Sequence, residues 1–562
     1  MRAFVRTFLG MRPSRAPDLL PAGEAQYAKD VKITGGDLKP LPGLLATALT
    51  LTSASTIKTI YRFGQLSLSD VIYWFQFTGD VDVVKGPIDG DTTERTFFTD
   101  GVYPKKTNAA LATASPPYPS ASYAMGVPAP TSAPTLVVSG TPTNASDPIE
   151  VVVYCLTYVS TWGEEGAPGP ASASASWQPG QTITVNGMAV SPGTGAHGEN
   201  YVITGKRLYR SAKGSSNSAF LLVNPTDIPI ATTTYVDTTI TANLLSAIVT
   251  TGWSEPPYNM IGLCALANGF MAGFTGNTLC FSEPGCPYAW PVRYQQSTDA
   301  PIVGIAPCDQ GVFVGTTQGI YIFTGTDPSA MTSTKMLVAQ SVVSKRSVVA
   351  MMGGVMFASP DGLFKYDGNG ITCATDGLMT RVEWQAYVPS SIYAYESDNR
   401  YIAFFDTGVR QAGLVFCFGA FPSFSETSLY AIGGYRDRQR DTLYLVATGA
   451  NPVLSKWDSG TALTYTYTSA ILPIAMDTNM AVARIDASAY PINFTLYADG
   501  AIKFGPTAIA NRFAFKLPGG YTSIRYHFTL TGTGIVRSVE MADSMDELAV
   551  PMPNVMAVSG FV

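Results

Sequence analysis

The sequence predicts an all-β protein built around a β-propeller, with two further β-sandwich domains. One pattern, an apolar strand, a glycine-containing turn and a second apolar strand, returns along the middle of the chain. Its copies begin at Gly269, Gly311, Gly354, Asn399 and Asp441, so successive copies lie 42, 43, 45 and 42 residues apart. A unit of this size cannot bury both faces alone, and stacking units around an axis is the usual solution. The spacing therefore predicts propeller blades, with an irregular β-sandwich as the alternative.

Composition supports the same fold class. Of the 562 residues only 14% are charged and 46% are hydrophobic, while the chain has 53 Gly, 39 Pro and 29 Tyr. This profile favours a turn-rich β protein with large protein contacts over a helical enzyme. A net charge of −6 argues against a chain whose main task is gripping nucleic acid phosphates.

The cysteines and histidines indicate no cofactor and no metal site. The seven cysteines form no CxxC pair, and the two histidines, His197 and His527, are far apart in the chain. The odd cysteine count, with no recognisable secretory leader, leads us to expect assembly in a reducing cytoplasm. The sequence contains no apolar stretch of about twenty residues, so we predict no membrane span.

Residues 1–22 are predicted to form an extended arm, because prolines at 13, 17 and 21 break any long helix. We expect this arm to contact a neighbouring subunit. The candidate contact residues are its arginines, Arg2, Arg6, Arg12 and Arg15.

Residues 23–113 are predicted to form the first part of the propeller. The alternating runs between Ile57 and Val102 have the content of one blade. Because this blade precedes the others by some 160 residues, we expect an early segment to meet a late one and close the ring, which would hide the sheet edges.

A proline- and serine-rich linker at 114–134 leads to an inserted domain at 135–250. Its first run, Ile149–Pro168, reads as one long strand that ends in a turn. The stretches Tyr158–Glu165 and Arg207–Ser211 resemble fibronectin type III modules, which usually offer a surface rather than chemistry. We therefore expect a β-sandwich that projects on its linkers.

Two further segments complete the prediction. Residues 251–464 hold the remaining blades, and residues 465–562 are expected to form a separate C-terminal β-sandwich.

The sequence offers no catalytic constellation. A hydrolase would need paired carboxylates or a nucleophile with its base. The candidate carboxylates are better interpreted as solvated turn residues, and no catalytic residue is assigned. These carboxylates are Glu164, Glu165, Glu283, Asp437 and Asp441.

Two basic groups stand between predicted blades. Lys345 and Arg346 could touch DNA, but a supporting salt bridge or subunit contact is the better interpretation. Arg436, Arg438 and Arg440 alternate along a strand. We expect these three at an interface or paired with Asp437 and Asp441, since a carboxylate suits the guanidinium fork.

Several stretches together resemble virion structural proteins of short-tailed bacteriophages. The resemblance spans nearly the whole chain except the inserted domain. It is carried by Gly23–Leu41, Gly269–Asn277, Phe281–Pro284, Ala289–Pro291, Ser344–Ser347, Ser359–Gly362 and Met541–Leu548.

Within that family the resemblance implies the tail nozzle, the distal part of the short tail tube. It implies a hexameric ring of propellers around a channel, through which phage DNA passes without sequence-specific binding. The implied partners are the tail adaptor protein and the tail fibres, and the implied location is the virion, assembled in the bacterial host cytoplasm. The resemblance implies no enzymatic activity and no cofactor.

Two alternatives remain open. The first is a tail fibre or receptor-binding protein that recognises host surface polysaccharide, although the sequence has no shaft repeat. The second is a polysaccharide-degrading propeller enzyme, which would need a carboxylate cluster at the ring centre.

Overall fold

A computed structural model of the chain describes residues 1–53, 55–64, 72–88, 90–193, 195–211, 219–351, 353–418, 422–449 and 451–549. Strands make up 45% of the residues and helices 6%, so the predicted all-β class is confirmed. None of the sheets in the described residues closes on itself. The chain divides into two compact units, one formed by residues 1–57 with 342–562 and the other by residues 58–341.

The strands are named in chain order. Before residue 58 they are β1 Arg2–Val5, β2 Ala25–Lys29, β3 Val31–Thr34, β4 Asp37–Pro40 and β5 Leu45–Thr50. In the unit 58–341 they are β6 Thr59–Arg62, β7 Trp74–Phe77, β8 Asp82–Lys85, β9 Thr96–Thr99, β10 Lys105–Thr107, β11 Tyr123–Ala124, β12 Thr135–Ser139, β13 Glu150–Val152, β14 Tyr154–Ser160, β15 Ala175–Trp177, β16 Thr182–Asn186, β17 Ile203–Ser211, β18 Phe220–Leu222, β19 Ile228–Pro229, β20 Thr234–Asp237, β21 Ile261–Ala265, β22 Met271–Thr275, β23 Thr278–Phe281, β24 Gln296–Ser297, β25 Ile302–Cys308, β26 Gly311–Thr316, β27 Ile320–Thr324 and β28 Thr332–Lys335.

After residue 341 the strands are β29 Val349–Met351, β30 Gly354–Ser359, β31 Gly362–Tyr366, β32 Ile371–Cys373, β33 Tyr393–Ser397, β34 Arg400–Asp406, β35 Gln411–Cys417, β36 Ser423–Thr427, β37 Gly433–Asp437, β38 Thr442–Val446, β39 Val453–Lys456, β40 Tyr465–Ser469, β41 Leu472–Thr478, β42 Val482–Ala487, β43 Ile492–Ala498, β44 Ala501–Ile509, β45 Phe515–Lys516, β46 Ser523–Gly532 and β47 Val536–Ala542. The α-helices are α1 Ala109–Ala112, α2 Arg381–Gln385 and α3 Met545–Ala549. Single 3₁₀ turns lie at Thr241–Asn243, Ala267–Gly269, Val292–Tyr294, Pro328–Ala330, Lys345–Ser347 and Pro389–Ser391.

In the unit 58–341 the predicted hairpins are present. Strands β21–β24 form one four-stranded antiparallel sheet and β25–β28 form another, each in chain order. The predicted turn at Gly276 joins β22 to β23, and its φ of 58° is a conformation that glycine adopts without steric cost. Phe274, Phe281, Val312 and Phe323 pack in one core cluster that these two sheets share.

The single blade predicted between Ile57 and Val102 is divided between two sheets. Strands β6 and β7 form a two-stranded sheet, with one further bridge from Phe75 to Tyr118, whereas β8 and β9 join β10 and β11 in a four-stranded sheet. Val71, at the start of one predicted run, lies outside the described residues. The predicted 114–134 linker supplies strand β11, and Met125 and Val127 beyond it are buried. Part of that segment is therefore sheet and core rather than a solvated connection.

The inserted domain has its own core, between the sheet β12–β16–β20 and the sheet β14–β17–β18. Trp177, Ile183 and Leu208 lie at its centre. The one long strand predicted from Ile149 is two strands, because β13 pairs with β15 while β14 pairs with β17. The chain changes sheets at Val153.

The inserted domain is held to the sheet β8–β11. The ammonium of Lys106 on β10 hydrogen-bonds the carboxylate of Glu164 in the turn after β14, and both side chains are almost fully buried. The backbone N–H of Ala124 donates to the carbonyl of Asn200 at 2.9 Å, and the rings of Tyr123 and Trp162 lie 5.8 Å apart. The expected free projection on linkers is thus replaced by a fixed contact.

The other unit continues the series of sheets. Strands β29–β32 form a four-stranded sheet, and β33–β36 run in order within a ten-stranded sheet. Strand β5 pairs with β39 and so completes the sheet β37–β38–β39–β5. An early strand thus pairs with a late one in this unit, although β5 precedes the blade predicted between Ile57 and Val102.

The segments predicted as an N-terminal arm and a separate C-terminal sandwich contribute strands to the same sheets. Strand β1 pairs with β47, and Ala3, Val5, Phe8 and Met11 are buried in a core cluster with residues of β43, β46 and β47. Strands β40, β43, β44 and β46 extend the ten-stranded sheet that begins at β33. The physical reason is that each of these segments is apolar on one face and becomes buried only against the others. Residues 550–562 of the predicted sandwich lie outside the described residues.

Within the described residues, no helix is both long enough and apolar enough to span a bilayer.

Candidate functional site: an arginine-lined groove

Side-chain alternation on strands β1, β47 and β42 brings charged residues together on one sheet face. Strand β47 lies between β1 and β42, and Phe4 of β1 and Arg484 of β42 both stand opposite Glu540. The intervening residues, such as Ile485 and Val539, point into the core. Because side chains alternate along a strand, the opposite face carries Arg484 and Glu540 outward.

Glu540 is the centre of this face. It accepts hydrogen bonds from Arg2 at 2.8 Å, from Arg6 at 3.2 Å and from Arg484. The three guanidinium groups cover the carboxylate, so only 4% of its side chain is exposed. Burial alone would raise the pKa of Glu540, but the hydrogen bonds from Arg484 and Arg2 outweigh it and hold the pKa below its ordinary value of 4.5.

Beside Glu540 the surface opens into a groove of about 700 Å³. We call it the arginine groove; its lining residues are Arg6, Arg484, Asp486, Arg512, Phe513, Ala514, Arg537, Ser538 and Glu540. Four guanidinium groups therefore face two carboxylates. Arg537 lies 3.9 Å from Asp486 with both side chains about half exposed, and no ion pair holds Arg512 within the described part of the chain.

The arrangement suits anion binding rather than group transfer. Arginine presents rigid N–H donors that match the two oxygens of a carboxylate or a phosphate. Phe513, 71% exposed, adds an apolar wall, and Asp486 adds an acceptor. The groove can therefore bind a ligand that carries negative charge, donors and an apolar part.

The candidate contact arginines of the first 22 residues separate into two groups. Arg2 and Arg6 join the face around Glu540, whereas Arg12 pairs with Glu24 at 3.2 Å. Arg15 is exposed and lies in the turn that follows Arg12. The structure thus brings two of the four residues to one place.

The other predicted basic residues serve local contacts. Arg436 pairs with Glu396 and Asp441, and Arg440 pairs with Asp437 at 2.8 Å. This pairing was one of the two alternatives anticipated from the sequence. Arg438 donates to the carbonyl of Ala350 at 3.4 Å, while Lys345 and Arg346 lie half-buried in a 3₁₀ turn.

The interpretation of the candidate carboxylates as solvated turn residues is wrong for three of them. Glu164, Glu165 and Asp437 are buried, and each is paired with a cation. Lys106 pairs with Glu164, Arg207 with Glu165 at 2.6 Å and Arg440 with Asp437 at 2.8 Å. Glu283 lies 3.4 Å from Arg293. In the described residues, no group of three or more His, Cys, Asp or Glu side chains is placed to hold a metal ion.

Sequence reasoning missed most of the arginine groove. Arg484, Arg512 and Arg537 were not selected, because their partners are distant in the chain or come from loops. A signal was present, since the run Val536–Ala542 places Arg537 and Glu540 in a strand whose other residues, apart from Ser538, are apolar. A buried carboxylate in such a strand requires cations from its neighbours.

The described residues define an all-β protein of successive, mostly antiparallel sheets with an arginine-lined groove. No protein-family model matches the chain, and no curated protein matches it. A solved structure similar to part of it is the extracellular domain of a hybrid two-component system from B. thetaiotaomicron, at 8% identity and a TM-score of 0.24. The match covers 84% of this chain, which spans 47% of the length of that domain.

Proposed function

We propose that the chain is a virion structural protein that forms the nozzle of a short phage tail. In this proposal the successive four-stranded sheets are propeller blades, and the propellers form a hexameric ring around the channel through which DNA is ejected. The arginine groove is the contact to the tail adaptor or to a neighbouring subunit.

The observation that carries the proposal is the series of four-stranded runs along the chain. Among the described residues these runs are β8–β11, β21–β24, β25–β28, β29–β32, β33–β36, and β37–β39 with β5. Propeller blades are antiparallel sheets of four strands that repeat along the chain. A blade completed by a strand from the other end of the sequence is a common means of removing free edges, and β5 occupies such a position next to β39.

The proposed mechanism is mechanical. Loops at the distal end of the ring hold the channel shut against packaged DNA, and receptor engagement moves them aside. The net charge of −6 supports this role, since an acidic wall does not retain the phosphate backbone.

The test is the number of copies per particle, measured by quantitative mass spectrometry of purified virions with the dodecameric portal as internal standard. Half as many copies as the portal are expected for one hexameric ring. Reconstruction of the tail by cryo-electron microscopy then locates the protein around the channel.

A count of three copies, or of a multiple of three other than six, would overturn the nozzle assignment. It would favour the tail fibre or receptor-binding protein that recognises host polysaccharide, because such fibres are usually trimeric. The inserted domain would then be the first region to test for receptor binding.

A further inference from the structure

The arginine groove has positive charge that its own carboxylates do not neutralise. Two of the arginines that line the groove, Arg6 and Arg484, share the carboxylate of Glu540, which Arg2 also contacts. Arg537 is paired only at 3.9 Å with Asp486, and Arg512 has no ion pair within the described residues. The groove is therefore a local basic site on a chain whose net charge is −6.

Two features of the lining favour a peptide over a nucleic acid. The carboxylate of Asp486 is 47% exposed in the groove, where it can accept a hydrogen bond from a peptide N–H, a donor that the phosphate backbone of a nucleic acid lacks. A phosphate backbone also continues beyond any short site at fixed spacing, so it gains most from an extended basic surface. The arginines here are confined to one groove of about 700 Å³.

The exposed ring of Phe513 defines a second part of the ligand. An aromatic side chain beside arginines is a frequent combination in protein interfaces, because the ring buries apolar area while the guanidinium groups fix orientation. A side chain such as leucine next to the acidic residues would pack against Phe513.

We propose that the arginine groove binds an acidic peptide segment of a partner protein, with carboxylates on Arg512 and Arg537 and a neighbouring apolar side chain on Phe513. The inference rests on the proposed role of the groove as a subunit or adaptor contact and adds the chemistry of the segment that docks there. Arg6, Arg484 and Glu540 form the wall that positions the site.

The test measures fluorescence anisotropy of a short fluorescein-labelled peptide rich in Glu and Leu, titrated with the full-length protein at physiological salt. We expect the double variant Arg512→Gln/Arg537→Gln to weaken binding about tenfold or more, because two charge-assisted contacts are lost. Phe513→Ser should weaken binding about threefold through the loss of apolar contact.

The matched control removes two exposed arginines elsewhere in the same unit. Arg381 pairs with Asp361 at 3.0 Å and Arg525 lies 3.6 Å from Asp18, so Arg381→Gln/Arg525→Gln changes the net charge equally. Its affinity for the peptide should stay within about twofold of the wild type. Unchanged melting temperatures for both double variants show that the fold is intact.

Three results would overturn the inference. In the first, the protein binds a peptide with Gln in place of Glu as tightly as the acidic peptide. In the second, the control variant weakens binding as much as Arg512→Gln/Arg537→Gln does. In the third, a DNA oligonucleotide displaces the peptide, and the variant Arg512→Gln/Arg537→Gln no longer binds that oligonucleotide. The last result would make the groove a nucleic acid site. The peptide assay uses isolated protein, so a negative result contradicts the peptide site alone. A copy number other than six in virions contradicts the nozzle assignment instead.

Discussion

At the residue scale, Glu540 shows how one side chain can organise a surface. It is buried under three guanidinium groups that come from β1, the residue after β1, and β42. A buried ion pair adds little net stability over an apolar contact, but removal of one partner leaves an unpaired buried charge. Glu540 therefore holds the groove together and at the same time makes it sensitive to substitution.

Replacing Glu540 with Gln should lower the free energy of unfolding by about 3 kcal/mol, because Arg2, 11% exposed, loses its carboxylate. Thermal unfolding followed by circular dichroism checks this. The control is Asp486→Asn, in a half-exposed pair at 3.9 Å, for which a change within about 0.5 kcal/mol is expected. Equal losses in the two variants would contradict a special role for Glu540.

The stability that Glu540 contributes should depend on pH, and the variant Glu540→Gln measures this dependence. The pKa of Glu540 in the folded chain lies below its ordinary value of 4.5, because the hydrogen bonds from Arg484 and Arg2 outweigh the effect of burial. The carboxylate therefore contributes stability above that pH, and the contribution is lost as the pH falls through the folded pKa. The difference in melting temperature between wild type and Glu540→Gln should shrink as the pH falls from about 5 to about 3. A constant difference would refute the assignment.

Lys106 and Glu164 offer a second test at this scale. Burial lowers the pKa of Lys106, and the neighbouring Glu164 opposes that effect. Glu164→Leu should cost about 3 to 5 kcal/mol, whereas the double variant Lys106→Met/Glu164→Leu should recover most of the loss. Asp299→Asn, which breaks a half-exposed pair with Lys335, should leave the melting temperature unchanged. If the loss of stability in the double variant equalled the sum of the losses in the two single variants, the two groups would not depend on each other.

At the scale of the element, strand β1 is a structural part of its unit. Its residues Ala3 and Val5, with Phe8 and Met11 beyond it, belong to the same core as β43 and β47. The Phe8 ring lies edge-on to Tyr467 with 5.3 Å between centroids. A segment with this many core contacts stabilises the sheet that it joins.

Deletion of residues 1–22 should therefore unfold the unit that contains β47, rather than leave a folded protein with a lost contact. Limited trypsin digestion followed by mass spectrometry should show rapid cleavage throughout residues 342–549. The control, Arg15→Gln/Leu19→Ser, changes two exposed residues of the same segment and should show the wild-type digestion pattern within residues 342–549. Protection equal to the wild type in the deletion would restore the interpretation of an independent arm.

At the scale of the whole molecule, one unit is continuous in sequence and the other is not. Residues 58–341 contain their own core clusters, whereas the other unit requires residues 1–57 and 342–549 together. A compact unit with its own core can in principle fold alone.

We expect a fragment of residues 58–341 to be soluble and to unfold cooperatively in urea. A fragment of residues 342–562 should be insoluble alone and become soluble when co-expressed with residues 1–57. Near-ultraviolet circular dichroism of the purified fragments reports the packing of their aromatic side chains. A soluble, well-packed fragment 342–562 on its own would contradict the division.

Local turn chemistry explains what the sequence could predict. Gly276, Gly319 and Gly362 mark hairpins because the residues that determine each turn are neighbours in the chain. The groove around Glu540 depends instead on Arg2 and Arg484, 538 and 56 residues away, and no local pattern identifies such partners. The burial of Glu164 was missed for the same reason, since Lys106 comes from another domain of the sequence.

The pairing of β5 with β39 also has a consequence for synthesis of the chain. About 400 residues separate the two strands, and the separation between β1 and its partner β47 is still larger. At about 5 to 20 residues per second, β5 remains without its partner for about 20 to 80 s after it leaves the ribosome, while residues 58–341 emerge and can fold. Strands β1 and β5 are thus exposed to proteases and chaperones until β47 and β39 have been synthesised, and premature termination anywhere before residue 453 leaves β5 permanently without its partner.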